Sequence, residues 1–345
     1  MGLKKYIAKR TVYTIVLLFL IVVFNFFLFQ VFPFLSLCPK GESYNTCVEA
    51  LYVPEAPPRA GGNATLYFRQ IKQAVLNDYG FNKPWTTRFA LYIYDMFTGR
   101  FGFHIGSGLQ GPVLVTIEQR APYTILLLGS STIAAFIIGI GLGVIAASKR
   151  GKVLDVSSLS VLLFLNSLPV FFMGAILMLT QVKITGTAYI NLGTSSLLKT
   201  GWTFYASILK ATFLPFVTLT LAGIGGVFLT QRAVMIDSVA EDYILMARAK
   251  GLPERTVLYK HAFRNAVLPI VTAFALSIGF ILSGAIITET VFSYPGLGLA
   301  LYTAVQIYDF PMEQALFFII SVMVLLCVFA ADIIYGFLDP RVSTG

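Results

Sequence analysis

Six apolar runs divide this chain, at 12–32, 123–147, 156–182, 208–229, 267–288 and 312–337. Each is long enough to cross the hydrocarbon core of a bilayer as a helix. The stretch at 34–120 differs: it is rich in Pro, Gly, Asn and Tyr, too hydrophilic to span and too long for a simple loop. The pattern predicts an all-α integral membrane protein with six transmembrane helices and a small extracytoplasmic subdomain between helices 1 and 2. Its parts are an N-terminal segment with the first helix at 1–33, the extracytoplasmic region at 34–120, and a five-helix core at 121–345. A signal peptide has a shorter apolar core and a small-residue cleavage site, so the first run reads as an uncleaved span.

The core is interrupted by a polar loop at 231–266, the longest well-charged segment in a greasy chain. Ser238 and Glu241 have capping-box spacing, in which each side chain satisfies an amide of the other's turn. Gly251 stands where a helix stops in left-handed geometry, with Pro253 two residues on. Arg248 and Lys250 place positive charge in the last turn, where the helix dipole favours it. These signals predict a helix of about three turns over 239–250. Ala240, Tyr243, Ile244 and Ala247 follow helical spacing and form one narrow apolar face. Such a helix, held between two spans, suits insertion into a groove on another protein. The plainer alternative is a solvated loop whose helix only tidies the connection.

Composition agrees with the apolar pattern. Hydrophobic residues make up 57% and charged residues 12% of 345, and mean hydropathy is +0.80; soluble domains carry about 25% charge. The net charge of +9 would suggest nucleic acid in a soluble protein, but its placement decides here. Lys4, Lys5, Lys9 and Arg10 precede the first span, 148–152 is basic, and the central loop holds Arg232, Arg248, Lys250, Arg255, Lys260 and Arg264. The segment 183–207 has two Lys and Arg and 291–311 has none. The positive-inside rule then puts both termini in the cytoplasm of a multi-pass cell-membrane protein, with no role for nucleic acid.

Catalytic signatures are missing from the sequence. Gly151-Lys152 lacks the upstream Gly and following Ser or Thr of a phosphate-binding loop, and there is no HExxH. Two histidines and three cysteines form no cluster with metal-ligand spacing, so neither a metal nor a cofactor is expected on this chain. Cys38 and Cys47, nine apart in the extracytoplasmic region, are either a disulfide or two free thiols. Asn63-Ala64-Thr65 is a glycosylation sequon if the host glycosylates exported loops. Gly139, Gly141 and Gly143, with Ala222 and Gly226, permit close helix approach. Asn166-Ser167-Leu168-Pro169 and Pro215 are expected to kink helices or line a cavity. Glu289 is the notable acid, expected at the outer end of the fifth span before Pro295-Gly296. There it is either a plain interfacial carboxylate or part of a gate.

Glu241-Asp242-Tyr243, Ala247-Arg248-Ala249-Lys250-Gly251-Leu252, His261-Ala262-Phe263-Arg264-Asn265-Ala266 and Leu268-Pro269 together resemble the cytoplasmic signature of ABC importer permeases. The dipeptide, oligopeptide and nickel branch is the best match. Leu245 and Met246 replace the Glu and first Ala of the general pattern, and the Leu-Pro pair lies further on, as in that branch. Tyr6-Ile7-Ala8-Lys9-Arg10, the segments 77–84 and 98–102, Glu289 through Gly298, and Asp332 with Leu338-Asp339-Pro340-Arg341 extend the resemblance. Arg100 departs from it, standing where the family often has Asp, and about 34–75 looks like an insertion.

The resemblance implies a type I ABC importer permease fold and a non-catalytic subunit. Residues 241–243 and 247–252 would form the helix that couples to an ATPase, which binds ATP and Mg. It also implies a second homologous permease, two ATPase subunits and an extracytoplasmic solute-binding protein. This chain would supply half of the path, with di- or oligopeptides as the expected cargo and oligosaccharides or nickel as alternatives. A secondary transporter or channel would instead call for mid-span acids or inverted repeats.

Overall fold

A computed structural model describes residues 3–32, 73, 83–104, 111–186, 201–279, 281 and 285–338. Cys38, Cys47, Asn63, the 34–75 insertion and Asp339 through Arg341 lie outside the described residues. Among those described there is no β-strand, only an isolated bridge between Phe103 and Pro112.

The first span is α1 (Leu3–Phe26), which widens into a π-helical turn at Phe27–Val31. An amphipathic helix, α2 (Trp85–Thr98), ends at Gly99 in left-handed geometry. Then come α3 (Val113–Ser148), α4 (Val153–Ser167), α5 (Val170–Thr185) and α6 (Trp202–Val239). The central loop contains α7 (Asp242–Ala249) and a rod, α8 (Glu254–Ala266), that passes through a π-helical segment. The chain continues as α9 (Leu268–Gly279), α10 (Ile286–Val291), α11 (Leu297–Ile307) and α12 (Phe310–Leu338).

Four helices, including α3, α6 and most of α1 and α12, are long and apolar enough to cross a membrane, and six crossings result if each of two bent pairs is one span. The third predicted span is one such pair: α4 and α5 meet at 100°. Pro169 has no N–H to donate and drives Leu168 out of helical geometry, to φ −77° and ψ 131°. The fifth predicted span also differs. Helix α9 is bent by 47° from α8, and it is separate from α10.

The packing axis is α3 against α6. A methyl group on Gly139 would lie 2.8 Å from Val227, and one on Gly143 2.8 Å from Gln231, while Gly141 faces open space. The small residues at that spacing therefore bring two helix backbones together. A separate core joins α1, α2, α3, α11 and α12 through residues such as Phe26, Tyr92, Ile117, Leu301 and Leu316. Ile137, Phe164, Leu179 and Phe213 are all more than 60% exposed. Large apolar side chains facing outward from spans of this length need lipid or another protein beside them.

Candidate functional site

The central loop is built differently from its expected capping. Helix α6 runs on through Ser238, which is buried, and the chain breaks only at Ala240 and Glu241. Glu241 takes the N-cap place in extended geometry and makes no side-chain cap bond. The capping box of Ser238 and Glu241 does not form, because the end of α6 absorbs the serine. Helix α7 is accordingly shorter, eight residues, with Asp242 in its first turn and Arg248 in its last, as the dipole favours. Gly251 stops it at φ +73°, donating to Arg248 O at 2.9 Å. Arg248 Nη2 then bridges to Glu254 Oε1 at 2.8 Å, tying α7 to the start of α8.

Of the expected apolar face, Ile244 and Ala247 point inward, while Ala240 and Tyr243 are exposed. Ile244 and Ala247 are buried against Val144, Met235, Val257, Leu258, Ala262 and Ala266 of the same chain. Ala247 is therefore no outward contact, since the face it shares with Ile244 is what seats the helix. Leu252 packs beside them. Outward lie Leu245 at 67% and Met246 at 63% exposure, with Tyr243 at 36%. Glu241, Asp242, Arg248, Ala249, Lys250 and Gly251 surround them, exposed. These are the two residues that depart from the general importer pattern, and they form the apolar tip of a helix held by its other side.

At the opposite end of α3, Glu289 is fully buried within the chain. Its carboxylate accepts Thr124 Oγ1–H at 3.0 Å and the amide of Leu299 at 3.0 Å, while Thr124 Oγ1 accepts the amide of Leu297 at 2.7 Å. A carboxylate from α10 set against the first turn of α11 complements that helix's unsatisfied amides. The approach needs glycine: a methyl group on Gly296 would overlap the carboxylate, and one on Gly298 would lie 2.8 Å from Ile286 Cα. Next to it Tyr294 is buried, sharing a hydrogen bond with Thr212 at 3.1 Å. Gly296 and Gly298 thus let the chain clasp Glu289 closely, with Pro295 between Tyr294 and that approach.

Residues 139–344, more than half of the chain, match the family described as binding-protein-dependent transport system inner membrane component. The dipeptide transport system permease protein DppB of Lactococcus lactis subsp. cremoris is 31% identical over 98% of this chain and 99% of its own length. DppB of Escherichia coli K12 is 33% identical over 78% of this chain and 84% of its own, and the oligopeptide transport system permease protein AppB of Bacillus subtilis is 32% identical over 79% and 85%. The chain belongs to this family of inner-membrane transport components. It is a multi-pass membrane protein.

In this family member the described residues bring Asn166 and Ser167 to the bend of the third span. Asn166 packs on Gly225, where a methyl group would lie 2.7 Å from its Cβ, and Ser167 Oγ donates to Phe164 O at 2.7 Å. Two buried clusters had no local signal in the sequence. His104 Nδ1 lies 2.7 Å from Asp309 Oδ2, and His104 Nε2 lies 2.7 Å from Thr116 Oγ1. Acid, imidazole and hydroxyl stand in the order of a hydrolase triad, yet the ring and carboxylate side chains are 0% exposed. Shut away from substrate, they tie the segment before α3 to the start of α12. Likewise Arg88 Nη2 donates to Gln30 O at 2.9 Å, and Gln30 Nε2 to Gln314 Oε1 at 3.1 Å, joining α2, the end of α1 and α12.

Proposed function

We propose that this chain is the membrane permease subunit of an ATP-driven importer of di- or oligopeptides, and that α7 docks into an ATPase subunit. The observation that carries this reading is the two-sidedness of α7. Its inner face is seated on α3, α6 and α8, and its outer tip presents Leu245 and Met246 to solvent. An exposed apolar tip on a firmly based short helix suits insertion into a groove on a partner. The basic residues of 148–152 and of the α7–α8 region gather at this end, which supports a cytoplasmic location for it and for both termini. ATP and Mg then belong to two partner ATPase subunits, and this chain performs no hydrolysis.

Peptide cargo follows the relatives, which are named for dipeptide and oligopeptide transport. A groove of about 370 Å³ between α3, α6 and α9 is lined by Ser131, Thr132, Gly223, Gly226, Thr230 and Ser277 among others, with no charged side chain. Set against a second, homologous permease, it supplies half of a path tolerant of varied cargo. A solute-binding protein delivers that cargo at the opposite end, near the Glu289 clasp. Closure of the ATPases would bias a two-state rearrangement of the spans.

The test is purification from the native membrane in mild detergent, with identification of every companion. A second permease and two ATPases are the expected companions, with peptide on a co-purifying receptor. An oligosaccharide or nickel on that receptor corrects the cargo. Recovery of this chain alone, active without ATP, overturns the proposal.

A further inference from the structure

Helix α4 buries few of its residues. Along its fifteen residues only Asp155 and Leu162 are buried, and the rest of its surface faces outward or is half-covered. Asp155 sits in its first turn and uses both oxygens. Oδ1 accepts Arg232 Nε at 2.6 Å, and Oδ2 accepts Arg232 Nη2 at 2.8 Å and the amide of Gly151 at 2.9 Å. A bidentate guanidinium–carboxylate pair fixes orientation as well as distance, which a point charge does not. One carboxylate therefore fastens the 148–152 connection and the start of α4 to the last turns of α6.

Arg232 stands one helical turn before Met235, and Met235 packs in the cluster that seats Ile244 and Ala247 of α7. Behind Arg232, a methyl group on Gly143 would lie 3.1 Å from the arginine amide, so α3 backs the same turn. At its far end the α4–α5 arm abuts the other pole, where a methyl group on Gly174 would lie 3.1 Å from Phe292, three residues from Glu289.

We infer that Asp155 and Arg232 are positioning residues that make α4 move as one body with the end of α6, so that displacement of α7 reaches the α4–α5 arm. This inference rests on the coupling role proposed for α7. Without the pair, α6 still carries α7, but α4 is left attached only through its second half, Leu159, Leu162, Leu165 and Asn166, and its start follows poorly.

The experiment uses the complete transporter in proteoliposomes, with peptide uptake and ATP hydrolysis measured together. Asp155→Asn and Arg232→Lys assemble normally and hydrolyse ATP, while uptake per ATP falls roughly 5- to 150-fold, the span of ordinary coupling free energies. Unchanged uptake per ATP in both variants overturns the inference. The second arm places Asp155→Cys with Arg232→Cys in a chain also carrying Cys38→Ser, Cys47→Ser and Cys327→Ser, and joins them with a short bifunctional thiol reagent. Joined helices that move together recover uptake relative to the unjoined variant. Uptake blocked by the link and restored by cleaving it shows that the pair parts during the cycle, which also overturns the inference. Wild-type complex that takes up peptide without ATP refutes the coupling reading itself, so the two failures are distinguishable.

Discussion

The two ends of α3 solve opposite problems. At the end near Thr124, two buried ionisable side chains find partners inside the chain: Glu289 with Thr124 and Leu299, His104 with Asp309 and Thr116. At the end near Val144, the polar groups are mostly exposed and it is apolar residues, Leu245 and Met246, that stand in the open. A buried carboxylate without donors is expensive, so the first end is closed by internal hydrogen bonds and becomes rigid. An exposed apolar tip gains by covering, which is why the second end is proposed as the docking surface.

Substitutions break this contrast in a graded way. Ala247→Asp puts an unpaired carboxylate into the seat of α7 and should cost about 3–5 kcal/mol, read as a lowered midpoint in thermal unfolding of the detergent-purified chain. A loss of ATPase binding with unaltered stability would instead place Ala247 on the outer face. Glu289→Leu strands the Thr124 hydroxyl and the Leu299 amide, and about 3 kcal/mol of destabilisation is expected in the same assay. Stability equal to wild type would show that these buried hydrogen bonds do not hold the clasp together. Thr116→Val removes one hydrogen bond to His104 and should cost only about 1 kcal/mol. Leu245→Asp should change stability least, within about 0.5 kcal/mol, because the side chain touches solvent. Affinity purification of that variant should nevertheless lose the ATPase subunits, and their full retention would show that the tip is not the docking surface.

Helix α7 shows why its outward face was hard to read from spacing alone. Periodicity marks Ala240, Tyr243, Ile244 and Ala247 as one apolar stripe, of which only Ile244 and Ala247 are buried. Whether it faces inward or outward depends on what lies beneath, and Met235, Val257 and Ala262 turned out to be there. Leu245 and Met246 look like departures from a motif in the sequence and like the functional tip in three dimensions.

What the sequence determined by itself is whatever neighbouring residues decide among themselves. Hydropathy set the long spans, since the hydrocarbon thickness is a length the chain must match. Pro169 broke the third span and Gly251 stopped α7, because missing N–H groups and positive φ are local backbone facts. The spacing of Gly139 and Gly143 marked the face that α6 approaches. Only the tertiary structure decided the polar partnerships. Arg232 and Asp155 lie 77 positions apart, Glu289 and Thr124 165, and Asp309 and His104 205. No local pattern links such residues; they pair because packed helices bring them out of water together, where each must be satisfied by the other.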